Sequence, residues 1–195
     1  GTVDFALVAS GDKRVPDVTA TITSDQVSAA GRELKGLNLT ASGKADMANP
    51  AFAIKLGGDL YGQPLQGSAV VGMAGDSREL RDIAVSLGDN RITGALKLAD
   101  DNLPEGALSF ELKNIAALTA PAAPDLKGSV AGTATFGRDG GTPQLVVDAT
   151  ANAALGVNAA DGVKLNATVT DYLAAPQIAA TVTAPAATAG DTQIK

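Results

Sequence analysis

The chain is 195 residues long, with 21 acidic and 15 basic side chains, a net charge of −6, no Cys and no His. Acidity without a Lys/Arg cluster argues against nucleic acid as a partner, because neutralising phosphates takes grouped cations. Without Cys or His there is no disulfide framework and no Cys/His metal site. Hydrophobic residues make up 45% but aromatic ones only 3%, with no Trp, so the apolar content is mostly aliphatic.

Taken in order, the chain alternates apolar and polar residues with a period of two, the pattern of strands with one apolar face. Val3, Phe5 and Leu7 open it. Val18, Ala20 and Ile22 alternate with Thr19, Thr21 and Thr23, and Leu37, Leu39 and Ala41 with Asn38, Thr40 and Ser42. Phe52, Ile54, Leu56 and Leu60 alternate with Lys55 and Asp59. The clearest hairpin follows. Ile83, Val85 and Leu87 share one face, and Gly88-Asp89-Asn90-Arg91 supplies turn chemistry. Ile92, Gly94, Leu96 and Leu98 then share one face of the returning strand, with Thr93, Ala95 and Lys97 on the other. Beyond it come Leu108, Phe110 and Leu112, then Val130, Ala134 and Phe136. Leu145 and Val147 lead into Ala149, Ala151 and Ala153. Val163, Leu165, Ala167 and Val169 follow, and Ile178, Ala180 and Val182 close the series.

Turn residues separate these runs at Gly11-Asp12-Lys13, Ala48-Asn49-Pro50, Gly62-Gln63-Pro64, Asp100-Asp101-Asn102, Arg138 to Gly141 and Asn158 to Gly162. The pattern predicts about a dozen strands of ordinary length. Two stretches have helical composition. Ser77 to Asp82 is too short to be stable alone, and Ile115 to Pro124 is Ala-rich but broken by Pro121 and Pro124, so it reads as a loop or linker. The chain reads as one β-rich fragment of a longer protein, 1–195, with a sub-boundary near 115–125. No apolar run approaches the roughly 18 residues of a membrane span. One internal repeat stands out: Arg32-Glu33-Leu34-Lys35-Gly36-Leu37-Asn38-Leu39 parallels Arg78-Glu79-Leu80-Arg81-Asp82-Ile83-Ala84-Val85.

Catalytic motifs are missing. A triad needs a base beside its nucleophile, and there is no His. There is no Gly-x-Gly for a dinucleotide and no Gly-Lys-Ser/Thr for a phosphate loop. Asp100-Asp101-Asn102 lacks the spaced ligands and distal Glu of a calcium loop and reads as a turn. Asn38-Leu39-Thr40 and Asn166-Ala167-Thr168 match the glycosylation pattern but lie on predicted strands. The expectation is a non-enzyme with no cofactor and no metal.

The functional question is what covers the apolar face, since a one-sided sheet needs a cover. One answer is a second layer, giving a β-sandwich or jelly roll. The other is an elongated antiparallel or mixed sheet folded lengthwise into a trough open to acyl chains. About a dozen strands at roughly 4.8 Å would make it about 55 Å long. A face rich in aliphatic residues and poor in rings favours the trough, because dry cores draw much of their burial from aromatics.

Arg32 to Gly43 and Arg78 to Leu98 resemble the repeating hairpins of the AsmA-like superfamily, and within it the TamB family. Asp59 to Ala69 and Ala175 to Ala180 are similar in style to that family's strand-turn-strand units. The resemblance implies a long periplasmic β-taco with a hydrophobic groove, in a parent anchored in the inner membrane. It implies movement of phospholipid between inner and outer membranes, or help in assembling outer-membrane proteins with a barrel partner of the TamA type. The residues expected to line the groove are Phe52, Ile54, Leu56 and Leu60; Ile83, Val85 and Leu87; Ile92, Leu96 and Leu98; and Phe110, Leu112, Val147, Leu165 and Ile178.

Overall fold

The structure, a computed structural model, describes residues 2–29, 32–46, 49–74, 77–99, 101–119, 125–190 and 192–194. The described residues are all-β, with fourteen strands and one short helix. They divide into two compact units, Gly1–Gly88 with Thr93–Asn102, and Asp89–Ile92 with Leu103–Lys195.

The first unit runs β1 (Asp4–Gly11), β2 (Pro16–Ala29), β3 (Arg32–Lys44), β4 (Ala51–Leu60), β5 (Gln63–Ala74) and β6 (Ser77–Leu87). Each strand pairs antiparallel with the next, so the sheet is an open meander. The turn between β4 and β5 is Tyr61-Gly62, with φ of 58° and 75°. That left-handed pair matches the twist of the flanking strands, and Asp59 Oδ1 accepts a hydrogen bond from Gly62 N at 2.7 Å. The segment β7 (Asn90–Leu98) contributes Thr93–Leu98 to this unit and its first residues to the other.

The second unit continues with β8 (Pro104–Leu112), α1 (Ala116–Thr119), β9 (Leu126–Asp139), β10 (Thr142–Leu155), β11 (Asn158–Thr170), β12 (Gln177–Thr183), β13 (Ala186–Ala189) and β14 (Thr192–Ile194). Strands β8 to β11 pair in chain order, antiparallel. Both β12 and β13 then pair with successive parts of β11, and β14 with β13.

The structure decides three points that the pattern left open. Ser77 to Asp82 is strand, because β5 offers it a full ladder from Ala74 opposite Ser77 to Val70 opposite Arg81. The ladder pairs the N–H and C=O groups on the side of β6 that faces β5, whereas six residues in an isolated helix would leave most of theirs unpaired. The Ile115 to Pro124 stretch holds a helical turn, α1; its residues 120–124, including both prolines, lie outside the described residues. Ala48 and Asp100 of the expected turns also lie outside them. Within each unit the sandwich alternative is not what forms. The strands of each unit belong to one open sheet, and among the described residues the one buried hydrophobic side chain is Ile115, at 8% exposure. Two facing layers would bury many more.

Candidate functional site

Cross-strand partners share a face, so the ladders sort the side chains that they pair. In the first unit one row reads Val18, Gly43, Phe52, Val71 and Leu80 from β2 to β6. The next reads Ala20, Ala41, Ile54 and Ala69, and the next Ile22, Leu39, Leu56, Gly67 and Val85. Leu65 stands between Gly58 and Leu87. The face is apolar throughout and half-buried, whereas Ala51, Ala53 and Lys55 on the reverse of β4 are exposed. Lys97 Nζ lies 3.5 Å from Glu79 Oε1, and Glu79 is on the reverse face. Leu96 and Leu98, alternating with Lys97, therefore take the apolar side.

In the second unit the rows are as regular. Leu112, Val130, Ala151 and Val163 form one. Phe110, Gly132, Ala149, Leu165 and Val182 form the next, and Leu108, Ala134, Val147, Ala167 and Ala180 the one after. Gly106, Phe136, Leu145, Val169 and Ile178 form the last. The reverse face carries Thr133, Asp148 and Asn166 in register, where Asn166 Nδ2 donates to Asp148 Oδ1. A shallow depression among Thr133, Asp148, Thr150 and Lys164 indents that side.

The expected lining residues thus fall together within each unit. Phe52, Ile54, Leu56, Leu60, Val85 and Leu87 share the face of the first, with Ile83 on the same side of β6. Phe110, Leu112, Val147, Leu165 and Ile178 share the face of the second. Two of the set are poorly sheltered: Ile92 is exposed, and Ile178 is 71% exposed. The opening run on β1 is exposed on both faces, Phe5 at 66%.

Leu34 and Leu80 also belong to the apolar face, although strict alternation sends them to the reverse face. Bulges explain this. The β3–β4 register shifts between Lys35 and Asn38, where Gly36 has φ 58°. The β5–β6 register shifts between Ser68 and Val70, opposite Asp82 with φ 53°. One extra residue reverses the side on which the strand presents its apolar positions. Leu34 thereby pairs with Leu60 and Leu80 with Val71. Gly36 and Asp82 occupy the same place in the internal repeat, so the repeat is the sequence signature of the bulge. A third bulge, at Gly162 with φ 64°, precedes Val163-Lys164-Leu165 in the same way, and Asn152 Oδ1 accepts from Gly162 N at 2.7 Å.

Both ends of the second unit's face carry polar fastenings. Asn90, 3% exposed, accepts from Asn114 N at 2.9 Å and donates from Nδ2 to Asn114 O at 3.0 Å. Ile115 N donates to Gly128 O at 3.1 Å, which seats α1 against β9. At the other end Arg138 Nε reaches Glu105 Oε1 at 2.9 Å. Tyr172, from the β11–β12 connection, meets the Phe136 ring edge-on at 6.4 Å. Neither fastening was legible in the alternation pattern. Of the other sequence motifs, Asn38 Oδ1 is engaged by Thr40 Oγ1 at 3.2 Å, and Asn102 N closes a turn on Ala99 O at 2.8 Å. Compared with family models, with curated proteins and with solved structures, the chain matches none.

Proposed function

We propose that the chain is a lipid-conduit segment, in which each sheet folds lengthwise into a trough whose apolar face receives phospholipid acyl chains. The observation that carries this reading is the half-buried state of two long aliphatic faces, with a single buried hydrophobic side chain among the described residues. A half-sheltered Leu or Phe still has on the order of 1 kcal/mol to gain from full burial. Multiplied along a row, that gain favours an apolar occupant. Mid-strand glycines support the lengthwise bend. A Cβ at Gly132 would stand 2.2 Å from Asp148 O, so β9 and β10 approach there as closely as glycine alone permits. The exposed Thr, Asn, Asp and Lys of the reverse faces suit water.

Sliding along such a rail needs no catalytic group, only continuous apolar contact with head groups left in solvent. The resemblance to the TamB family is what suggests a periplasmic setting, with lipid carried between inner and outer membranes. The test is photocrosslinking in cells from Phe110 and Val147, with Thr133 on the reverse face as the control. Lipid is expected on the first two and not on the third. A folded protein that captures no lipid from either inward position overturns the conduit.

A second reading, a scaffold assisting assembly of outer-membrane barrels with a partner of the TamA type, is favoured by β1. Its eight residues are all exposed, and among the described residues its one ladder is with β2. An open edge can template another strand. Pro at Leu7 should then impair barrel assembly and leave lipid capture at Phe110 unchanged.

A further inference from the structure

We propose that Tyr172 is a displaceable plug in the trough of the second unit, occupying the place that an acyl chain takes. The proposal rests on the acyl-binding reading above. Phe136 belongs to the last apolar row, between Gly106 and Leu145. Tyr172 sets its ring against that residue, with the planes 83° apart and the centroids 6.4 Å apart. The plug therefore stands at one end of the apolar face, on the side that lipid would use.

One feature makes the seated position costly. The Tyr172 hydroxyl oxygen is sealed from solvent and has no hydrogen-bond partner among the described residues. A buried donor left unpaired forfeits the hydrogen bonds it would make in water. The connection is pinned by Asp171 N to Pro143 O at 2.7 Å and by Ala175 N to Asp171 Oδ2 at 3.2 Å, and the neighbouring Leu173 is 68% exposed. These pins hold the backbone of the turn, and the ring itself packs edge-on against Phe136.

An acyl chain offers Phe136 the same apolar contact with no stranded hydroxyl. Exchange of ring for chain also returns the hydroxyl to water. Lipid then binds only the displaced state, so its apparent affinity is reduced by the fraction of molecules in which the ring is seated. Because the hydroxyl is sealed, it acts by its unmet bond and not as a head-group ligand.

The experiment titrates the chain with 1-pyrenedodecanoic acid and with 1-dodecylpyrene, which has no hydrogen-bond acceptor, and follows thermal unfolding. Tyr172→Phe keeps the ring and removes the stranded hydroxyl, so the plug seats better. The expected result is a higher melting midpoint and weaker binding of both probes, by about threefold or more. Tyr172→Ala removes the plug, and both probes should bind about threefold tighter or more. Unchanged affinities in both variants overturn the plug, as does weaker binding by Tyr172→Ala. A loss in Tyr172→Phe confined to the acid probe also overturns it, because the hydroxyl would then be bonding the ligand. Should Tyr172→Ala fail to fold, Tyr172→Phe with dodecylpyrene decides: weaker binding supports the plug and unchanged binding overturns it. A wild-type chain that binds neither probe overturns the acyl-trough reading and the plug with it. Wild-type binding with unaltered variants overturns the plug alone.

Discussion

Val169 and Ile178 face each other across β11 and β12, on the same side of the same row. Both are β-branched and both sit in alternating strands. Val169 is half-buried, but Ile178 is 71% exposed. The difference is lateral. Strand β11 has β10 on one side and β12 on the other, whereas among the described residues β12 pairs with β11 alone. In a one-layer sheet a side chain is sheltered by its neighbours in the row and not by a facing layer. The same rule leaves Phe5 and Leu7 exposed on β1 while Ile22 and Leu39, further in, are half-buried. Alternation tells which way a residue points; the number of flanking strands tells how dry it becomes.

The comparison can be broken hardest at Gly132. Gly132→Val puts a branched side chain into the β10 backbone, 2.2 Å from Asp148 O at its Cβ. The expected loss is about 3 kcal/mol in urea unfolding. Gly137→Ala in the same strand meets nothing within 4 Å and should change stability by less than about 0.5 kcal/mol. Equal effects would mean that close approach of inner strands does not govern the sheet. Asn90→Ala strands the Asn114 backbone and should cost about 2 kcal/mol, with faster amide exchange at Ile115 as the specific sign that α1 has come loose.

The bulges supply a finer test. A Cβ at Gly36 meets nothing within 4 Å, so Gly36→Ala, which adds that Cβ alone, acts through its left-handed backbone. It should destabilise by about 1–2 kcal/mol, and Asp82→Gly, at the matching repeat position, should stabilise by about 0.5–1 kcal/mol. Opposite signs at equivalent positions are the outcome to look for. The smallest effect belongs to the opening pair: Val169→Ala should cost about 1 kcal/mol and Ile178→Ala less than about 0.5 kcal/mol in the same denaturation assay.

Legibility followed the same division. Phe52, Ile54 and Leu56, and Phe110 and Leu112, share the face that their alternation predicts, because a period of two has only two faces to choose between. Leu34 and Leu80 were missed because a bulge changes the parity of every residue beyond it. The repeat that pairs Gly36 with Asp82 was the available signal. Arg78 to Asp82 has the composition of a helix start, yet its ladder with β5 prevails, since local propensity is weaker than a full set of cross-strand bonds. Tyr172 left no trace in the pattern. It comes from a connection, and only the return of β11 alongside β10 brings it beside Phe136.

The amino-acid sequence by itself determined the all-β class, the turns and the polarity of the faces, because each follows from local backbone preference and a two-residue period. Only the tertiary structure decided which residues are sheltered, where the bulges turn a strand over, and which side chains fasten the ends. Those outcomes depend on which strands become neighbours, and neighbourhood is settled by pairing across the sheet, far along the chain from the residues it affects.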